Sequence, residues 1–217
     1  MFRQFDGEFG FSPDGRLLQN EYAGRAASQG PLIIGVTGKS CVVLLAKKQN
    51  SNPLIVTNDS NSIAQVSEKI FAGFSGMSGD SNFFLNKLRT IAASHRNSYG
   101  TEPTVQSLAN SGLDSLHPNN QKYDHPLGFG GGPTRPLGSS FLLAGIDGNT
   151  PKLVKGATSS SSVGCLAGAI GTGAEAAEAY LSDHFEKDLD DEKAQNLAID
   201  TLKNVDHGAE YSIRVIH

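Results

Sequence analysis

The order of apolar runs and amphipathic stretches along this 217-residue chain predicts an α+β fold, a four-layer αββα sandwich spanning residues 1–217 as a single domain. Three observations lead there. Pairs of apolar runs are joined by connections so short that the strands must form antiparallel hairpins. The central runs do not alternate in polarity, so both faces of their strands have to be covered. Pairs of helical stripes are available on either side of them to act as the covers.

In chain order, the first element is a helix over residues 12–29. Ser12 is its expected N-cap, Pro13 suits a first turn where a missing N–H costs nothing, and Asp14 complements the positive helix end. Leu18, Tyr22 and Ala26 recur every fourth residue as an apolar stripe, and Gly30-Pro31 ends the helix. Leu32 to Val36 and Cys41 to Ala46 then read as strands joined by Thr37-Gly38-Lys39-Ser40. Ser78 is placed as the cap of a helix with Phe84, Leu88, Ile91 and His95 on one face, and a shorter helix is expected between Thr104 and Leu116.

Phe141 to Ile146 and Lys152 to Lys155 are joined around Asp147-Gly148, a hairpin signal. Thr172 and Glu175 suggest a capping box ahead of Ala177 and Leu181, and Ala194, Leu197, Ala198, Thr201, Leu202 and Val205 trace a further apolar stripe. Tyr211, Ile213 and Val215 alternate with Glu210, Ser212 and Arg214, which predicts a closing strand with one wetter face. About ten strands are expected in all.

Composition narrows the function classes. With 38% hydrophobic and 18% charged residues the chain can bury a sizeable core, and a net charge of −4 provides no basic footprint for nucleic acid. The longest apolar runs are roughly six residues against the ~20 needed to span a bilayer, and Met1 to Glu8 carries charges where a signal peptide needs an apolar run. An intracellular chain with no membrane partner is expected. Cys41 and Cys165 are too few for a disulfide framework and sit in apolar contexts, as small buried thiols do.

Catalytic and cofactor patterns fail on inspection. Gly128, Gly130, Gly131 and Gly132 have no strand leading in and no Lys-Ser or Lys-Thr following, so they read as loop. Gly38-Lys39-Ser40 would need a glycine at Ile33 to be a phosphate loop. Gly171-Thr172-Gly173 opens a helix, but Thr172 is already a good cap and no acid is placed for a ribose. No Gly-x-Ser-x-Gly elbow occurs, and the six histidines lack metal-ligand spacing. Neither a cofactor nor a metal is expected.

Ser12-Pro13-Asp14-Gly15-Arg16-Leu17-Leu18-Gln19-Asn20-Glu21-Tyr22-Ala23 resembles the amino-terminal motif S-P-[DE]-G-R-[LI]-x-Q-x-E-Y-A of the alpha subunits of the 20S proteasome, departing only where that family itself varies. The resemblance continues through Gly30 to Leu45, through Phe71 to Asp80 with its A-G-[LM]-[ST]-x-D pattern, and through Gln121-Lys122-Tyr123 and Arg135-Pro136-Leu137-Gly138, which look like Q-x-Y and R-P-[FY]-G. Ala144 to Asp147 and Ala169 to Gly173 resemble its later motifs. Met1-Phe2-Arg3 and Arg135 to Gly138 most resemble the alpha type-1 subunit.

The resemblance implies the N-terminal nucleophile hydrolase sandwich and a noncatalytic scaffold. Where the related beta subunits have a processed threonine, Pro31 stands here, and Lys47 stands where their aspartate would. Cleavage at Gly138-Ser139, the other conceivable processing point, would leave too short a remainder for a four-layer core. The implied partners are other alpha subunits in a seven-membered ring, beta subunits and regulatory particles, in cytoplasm and nucleus. Residues 1–11 become a gate tail and residues 12–29 an interface helix, with Phe5, Asp6, Pro13, Leu18 and Tyr22 as the gate and interface residues. Phe5 replaces the usual tyrosine and Gly7 a frequent arginine, while Gln65 falls where the family's activator pocket has a lysine. A free-standing hydrolase of the same sandwich is the alternative.

Overall fold

The computed structural model describes residues 11–48, 62–116 and 135–217. In chain order they form helix α1 (Leu18–Ala27), strands β1 (Ile33–Thr37), β2 (Val42–Lys47), β3 (Ile63–Gln65) and β4 (Ile70–Gly76), and helices α2 (Ser78–Tyr99) and α3 (Val105–Asp114). Strands β5 (Ser139–Asp147), β6 (Thr150–Ala157), β7 (Ser162–Cys165) and β8 (Ala167–Ile170) follow, then helices α4 (Ala174–His184) and α5 (Asp191–Val205) and strand β9 (Tyr211–Ile216). The strands make two antiparallel sheets, ordered β8-β1-β2-β9 and β3-β4-β5-β6-β7.

The predicted four layers are present, and the absence of alternation in the central strands has a direct cause. Ile33, Val42 and Leu44 meet Leu142, Ala144 and Leu153 between the sheets. Their chain neighbours Ile34, Val36 and Val43 point the other way, onto Ala177 and Leu181 of α4 and Ala198 and Leu202 of α5. Phe141 and Leu143 of β5 pack under Phe84 and Leu88 of α2 and Leu108 of α3. Successive side chains of a strand leave opposite faces, so a strand with a layer on each side is apolar at every position.

Local signals held at several places. Thr104 caps α3 by accepting Ser107 N at 3.2 Å. Asp147 pairs with Thr150 across the β5–β6 turn, where Gly148 takes a φ of 63°. Asp191 and Glu192 form an acidic first turn of α5, at the positive helix end.

Others were overridden. The first helix starts at Leu18, not at Pro13, because Ser12-Pro13-Asp14-Gly15 closes on itself as a β-turn: Gly15 N donates to Ser12 O at 2.8 Å and Ser12 Oγ accepts Arg16 N at 3.0 Å. Ser12 thus caps a turn rather than a helix. Its buried face is Ala23 and Ala27, not the Leu18–Tyr22–Ala26 stripe. Met77, not Ser78, is the N-cap residue of α2. The capping box at Thr172 does not form, since Gly173 precedes α4 in the left-handed conformation and Thr172 Oγ1 turns to Ser28 O. Tyr211, Ile213 and Val215 do share the face toward α5, yet Tyr211 and Ile213 stay 37% and 38% exposed because β9 is an edge strand. Nine strands occur among the described residues, close to the number expected.

Phe84 is fully buried, edge-on to Phe74 at 6.3 Å and tilted against Phe141 at 5.2 Å. Phe84→Ala should lower unfolding stability by about 3–5 kcal/mol, measured by urea denaturation, through lost transfer energy and a residual cavity.

Candidate functional site

The family resemblance places Pro31, in the segment entering β1, where the related catalytic subunits carry their nucleophile. Pro31 has neither a hydroxyl nor an amine, and the backbone around it is closely walled. Gly30 O accepts Thr172 N at 2.9 Å, and Lys47 N donates to Leu32 O at 2.9 Å. A Cβ at Gly171 would overlap the Pro31 carbonyl oxygen, and one at Gly30 would overlap Gly76 N. Gly171 in addition has a φ of 91°, so glycine is required there twice over.

The hydroxyls of Ser75, Ser139 and Thr158, which lie nearby, already have hydrogen-bond partners. Ser75 Oγ faces Ala27 O at 3.5 Å, Ser139 Oγ bonds Ser81 Oγ at 2.8 Å and reaches Ser75 O, and Thr158 Oγ1 donates to Leu137 O at 2.7 Å or Ser139 O at 2.8 Å. Lys47 is ion-paired with Asp206, just past the end of α5. The thiols are inert. Burial pushes Cys41 up to about 12 and Cys165 up to about 11, with Asp191 adding to the first effect. The amides of Gly38, Lys39 and Ser40 are taken by Cys41 O, Leu189 O and the Asp191 carboxylate, which removes them as anion donors.

Beside this junction lies a platform that carries α1. Asp80, in the first turn of α2, is 7% exposed and receives Arg135 bidentately, Nη1 to Oδ2 at 2.7 Å and Nη2 to Oδ1 at 2.8 Å. Gly138 N donates to the same carboxylate at 2.7 Å, and Met77 N donates to Gly138 O at 2.9 Å. The Arg135 guanidinium first, and the Gly138 amide second, hold the Asp80 carboxyl below the usual aspartate range. This clamp presents Gly76 and Gly138 to α1, and their lack of side chains lets Ala26 and Ala27 settle against backbone. A Cβ at Gly76 would come within 2.8 Å of Ala27 Cα, and one at Gly138 within 3.0 Å of Ala26 Cβ, so this close seating depends on the two glycines.

The opposite face of α1 is left outward. Leu18 is half-buried and Tyr22 is 41% exposed, one turn apart on the same side. Pro13 is exposed in the preceding turn, which is tied to the helix by the Arg16–Glu21 ion pair. The structure therefore brings Leu18 and Tyr22 together and leaves Pro13 at the entry. Phe5 and Asp6, with the rest of the tail to residue 10, lie outside the described residues, as do the glycine cluster at 128–132 and Gln121 to Tyr123. The roles of Asp80, Arg135 and Gly138 escaped sequence reasoning although their motifs were visible; an acid in the first turn of a helix and a distant Arg-Pro-x-Gly gave no hint that they touch.

A cavity of about 730 Å³ opens next to the junction, bordered by Pro31, Gln65, Phe74, Gly76, Arg89 and Arg214. Arg89 Nε and Nη2 both donate to Gln65 O, at 3.0 and 2.8 Å, while Gln65 Nε2 turns to Glu68 O.

Two antiparallel sheets covered by helices on both outer faces, with α1 seated across one end, define an α+β sandwich of the N-terminal nucleophile hydrolase type. The chain belongs to the proteasome subunit family, whose model matches residues 27–217. It is 32% identical over 199 residues to the proteasome subunit alpha type-5 of Trypanosoma brucei brucei, covering 90% of this chain and 78% of that protein. It is 33% identical over 208 residues to the proteasome subunit alpha of Thermococcus onnurineus (95% and 76%), and 32% identical over 206 residues to the probable proteasome subunit alpha type-5 of Schizosaccharomyces pombe (90% and 78%). Within the family it is an alpha subunit.

Because Asp80 is held below its ordinary range, its contribution to stability is complete above about pH 5 and is lost as pH falls through the folded-state value, below the ordinary aspartate pKa of about 4. Asp80→Asn keeps the shape and removes the charge. It should cost about 2 kcal/mol at pH 7 and flatten the acid limb of the stability profile, read from urea midpoints between about pH 3 and 7. An unchanged acid limb in the variant would show that the clamp is not the titrating element.

Proposed function

We propose that this chain is a noncatalytic alpha-ring subunit of the 20S proteasome core, serving in ring assembly, substrate-entry gating and regulator docking for intracellular protein degradation. The observation that carries the reading is the seating of α1: its buried face, Ala23 and Ala27, is set against the sandwich, and a neighbouring subunit packs on the flank that carries half-buried Leu18 and the 41% exposed Tyr22. Pro31 at the nucleophile position agrees with a chain that turns over nothing by itself.

The finer assignments extend this proposal. The ring is seven-membered and stacked on beta subunits, and residues 1–11 contribute to a gate over its pore, with Phe5 and Asp6 among the residues that order it. Regulatory particles dock in the cavity beside Pro31, where Gln65 replaces the lysine that the family resemblance leads one to expect and Arg89 and Arg214 provide the positive charge. Met1-Phe2-Arg3 and Arg135 to Gly138 favour the alpha type-1 position, with type-5, named in two of the relatives, as the competing assignment. Cross-linking to ring neighbours separates the two. The particle acts in cytoplasm and nucleus.

Assembly tests the central claim. Replacing Leu18 and Tyr22 together by Asp puts two charges into a contact that excludes water, so the variant should fold, by circular dichroism, but accumulate outside the ring in native mass spectra. Full incorporation at parental yield would remove α1 from the interface. Deleting residues 2–9 should leave assembly intact and raise basal peptide hydrolysis by the particle at equal active-site titre; unchanged turnover would take this tail out of the gate.

A further inference from the structure

Helix α1 is weak by itself. It has 10 residues, fewer than the roughly 12–15 that a helix needs to persist alone in water. No side chain caps its N-terminus at Leu17, and Gly24 stands in its interior, where glycine is the least favourable residue after proline. Its buried residues, Ala23 and Ala27, remove little apolar surface from water. Two hydroxyls of the sandwich reach its C-terminal end, Ser75 Oγ to Ala27 O at 3.5 Å and Thr172 Oγ1 to Ser28 O at 3.4 Å, both longer than a good hydroxyl bond. The order of α1 therefore comes from the surface on which it sits.

That surface is held by Asp80. Gly138, which lies under Ala26 and the Ala23 carbonyl, stands one residue before β5, outside the ladder that pairs Ser139 with Gly76. Both of its backbone groups are committed to the start of α2: its N–H donates to Asp80 Oδ2, and its carbonyl accepts Met77 N. Arg135 donates to the same carboxylate through Nη1 and Nη2, and Nη1 also reaches Pro136 O at 3.0 Å, so residues 135–138 fold around Asp80. Strand β5 has anchors of its own, since Ser139 N donates to Thr158 Oγ1 and Thr158 N to Ser139 O. Opening the clamp thus frees the seat of α1 and leaves the sheet in register.

We infer that Asp80 is the positioning residue of α1: through Arg135 and the Gly138 amide it holds the helix against the sandwich, and α1 detaches as a unit, with both sheets intact, when that clamp is opened. The coupling of α1 to the clamp stands on these contacts alone. Its consequence, that Asp80 and Arg135 govern how α1 meets a neighbouring subunit, rests on the proposed ring assignment.

Hydrogen–deuterium exchange of the full chain, read by mass spectrometry, tests the coupling. In Arg135→Gln, and independently in Asp80→Asn, exchange over residues 18–27 should quicken about tenfold or more, while β5 and α2 beyond its first turn stay within about twofold of the parent. Gly24→Ala improves helix propensity at a position where a Cβ meets nothing within 4 Å, so adding it to Arg135→Gln should slow exchange over α1 again by about fivefold. In native mass spectra of the assembled particle, Arg135→Gln should enter rings at reduced yield, and Gly24→Ala should recover it. The inference is overturned if α1 exchanges freely in the parent, if both clamp variants leave its exchange unchanged, if α1, α2 and β5 quicken together, or if Gly24→Ala does not slow it. Selectively faster exchange with parental ring entry would keep the coupling and remove α1 from the interface, so the two readings fail separately.

Discussion

At one end of the sandwich three pieces of backbone come together with only the Ser75 hydroxyl between them: the Gly30-Pro31 entry to β1, the end of β4 at Ser75-Gly76, and the turn after β8 at Gly171. Each belongs to a different part of the two sheets, so their spacing sets how the sheets meet. The Asp80 clamp then fixes the start of β5 against the same junction through Arg135 and the Gly138 amide. The helix α1 can only sit where this composite surface lets an alanine face approach backbone. The seat of α1 and the closely walled backbone around Pro31 are therefore one construction.

The layers behind that junction are supported in a more distributed way. Each central strand serves two cores at once, and every large side chain removed from water contributes about 1.5–3 kcal/mol before entropy is subtracted. Loss of one contact in the outer layers is a local matter. The junction has no such redundancy, since a side chain at Gly30 or Gly171 meets backbone, which cannot rotate away.

Much of the fold could be read from the chain because its layers are periodic. The double-sided strands announced themselves by lacking alternation, and α2, α3 and α5 by apolar spacing. The short strands β3, β7 and β8 were not legible, having too few residues to show a period. The start of α1 was misread for a different reason: Ser-Pro-Asp-Gly is equally good as a helix entry and as a β-turn, and the left-handed Gly15, with a φ of 75°, decides it. The stripe misreading has a tertiary origin. Leu18 and Tyr22 look like core because they are the larger apolar residues, but the close seating on the glycine platform is made by Ala23, Ala26 and Ala27. For the site, Pro13, Leu18 and Tyr22 were reached through a contiguous motif; the clamp was not, because Asp80 and Arg135 lie far apart in sequence and are brought together only by the fold.

The ion pair between Lys47 and Asp206 bears on whether this chain could ever regain hydrolysis. If position 47 is where the related catalytic subunits keep an acid, restoring that acid here would set it against Asp206, and two carboxylates would face each other where one pair now attracts. A threonine at position 31 would in turn need its amine freed by removing everything before it, including α1, which is seated on the same junction. Each reverse step thus damages something the structure now uses before any activity could reward it. A free nucleophile at this junction and a seated α1 are thus mutually exclusive uses of one place.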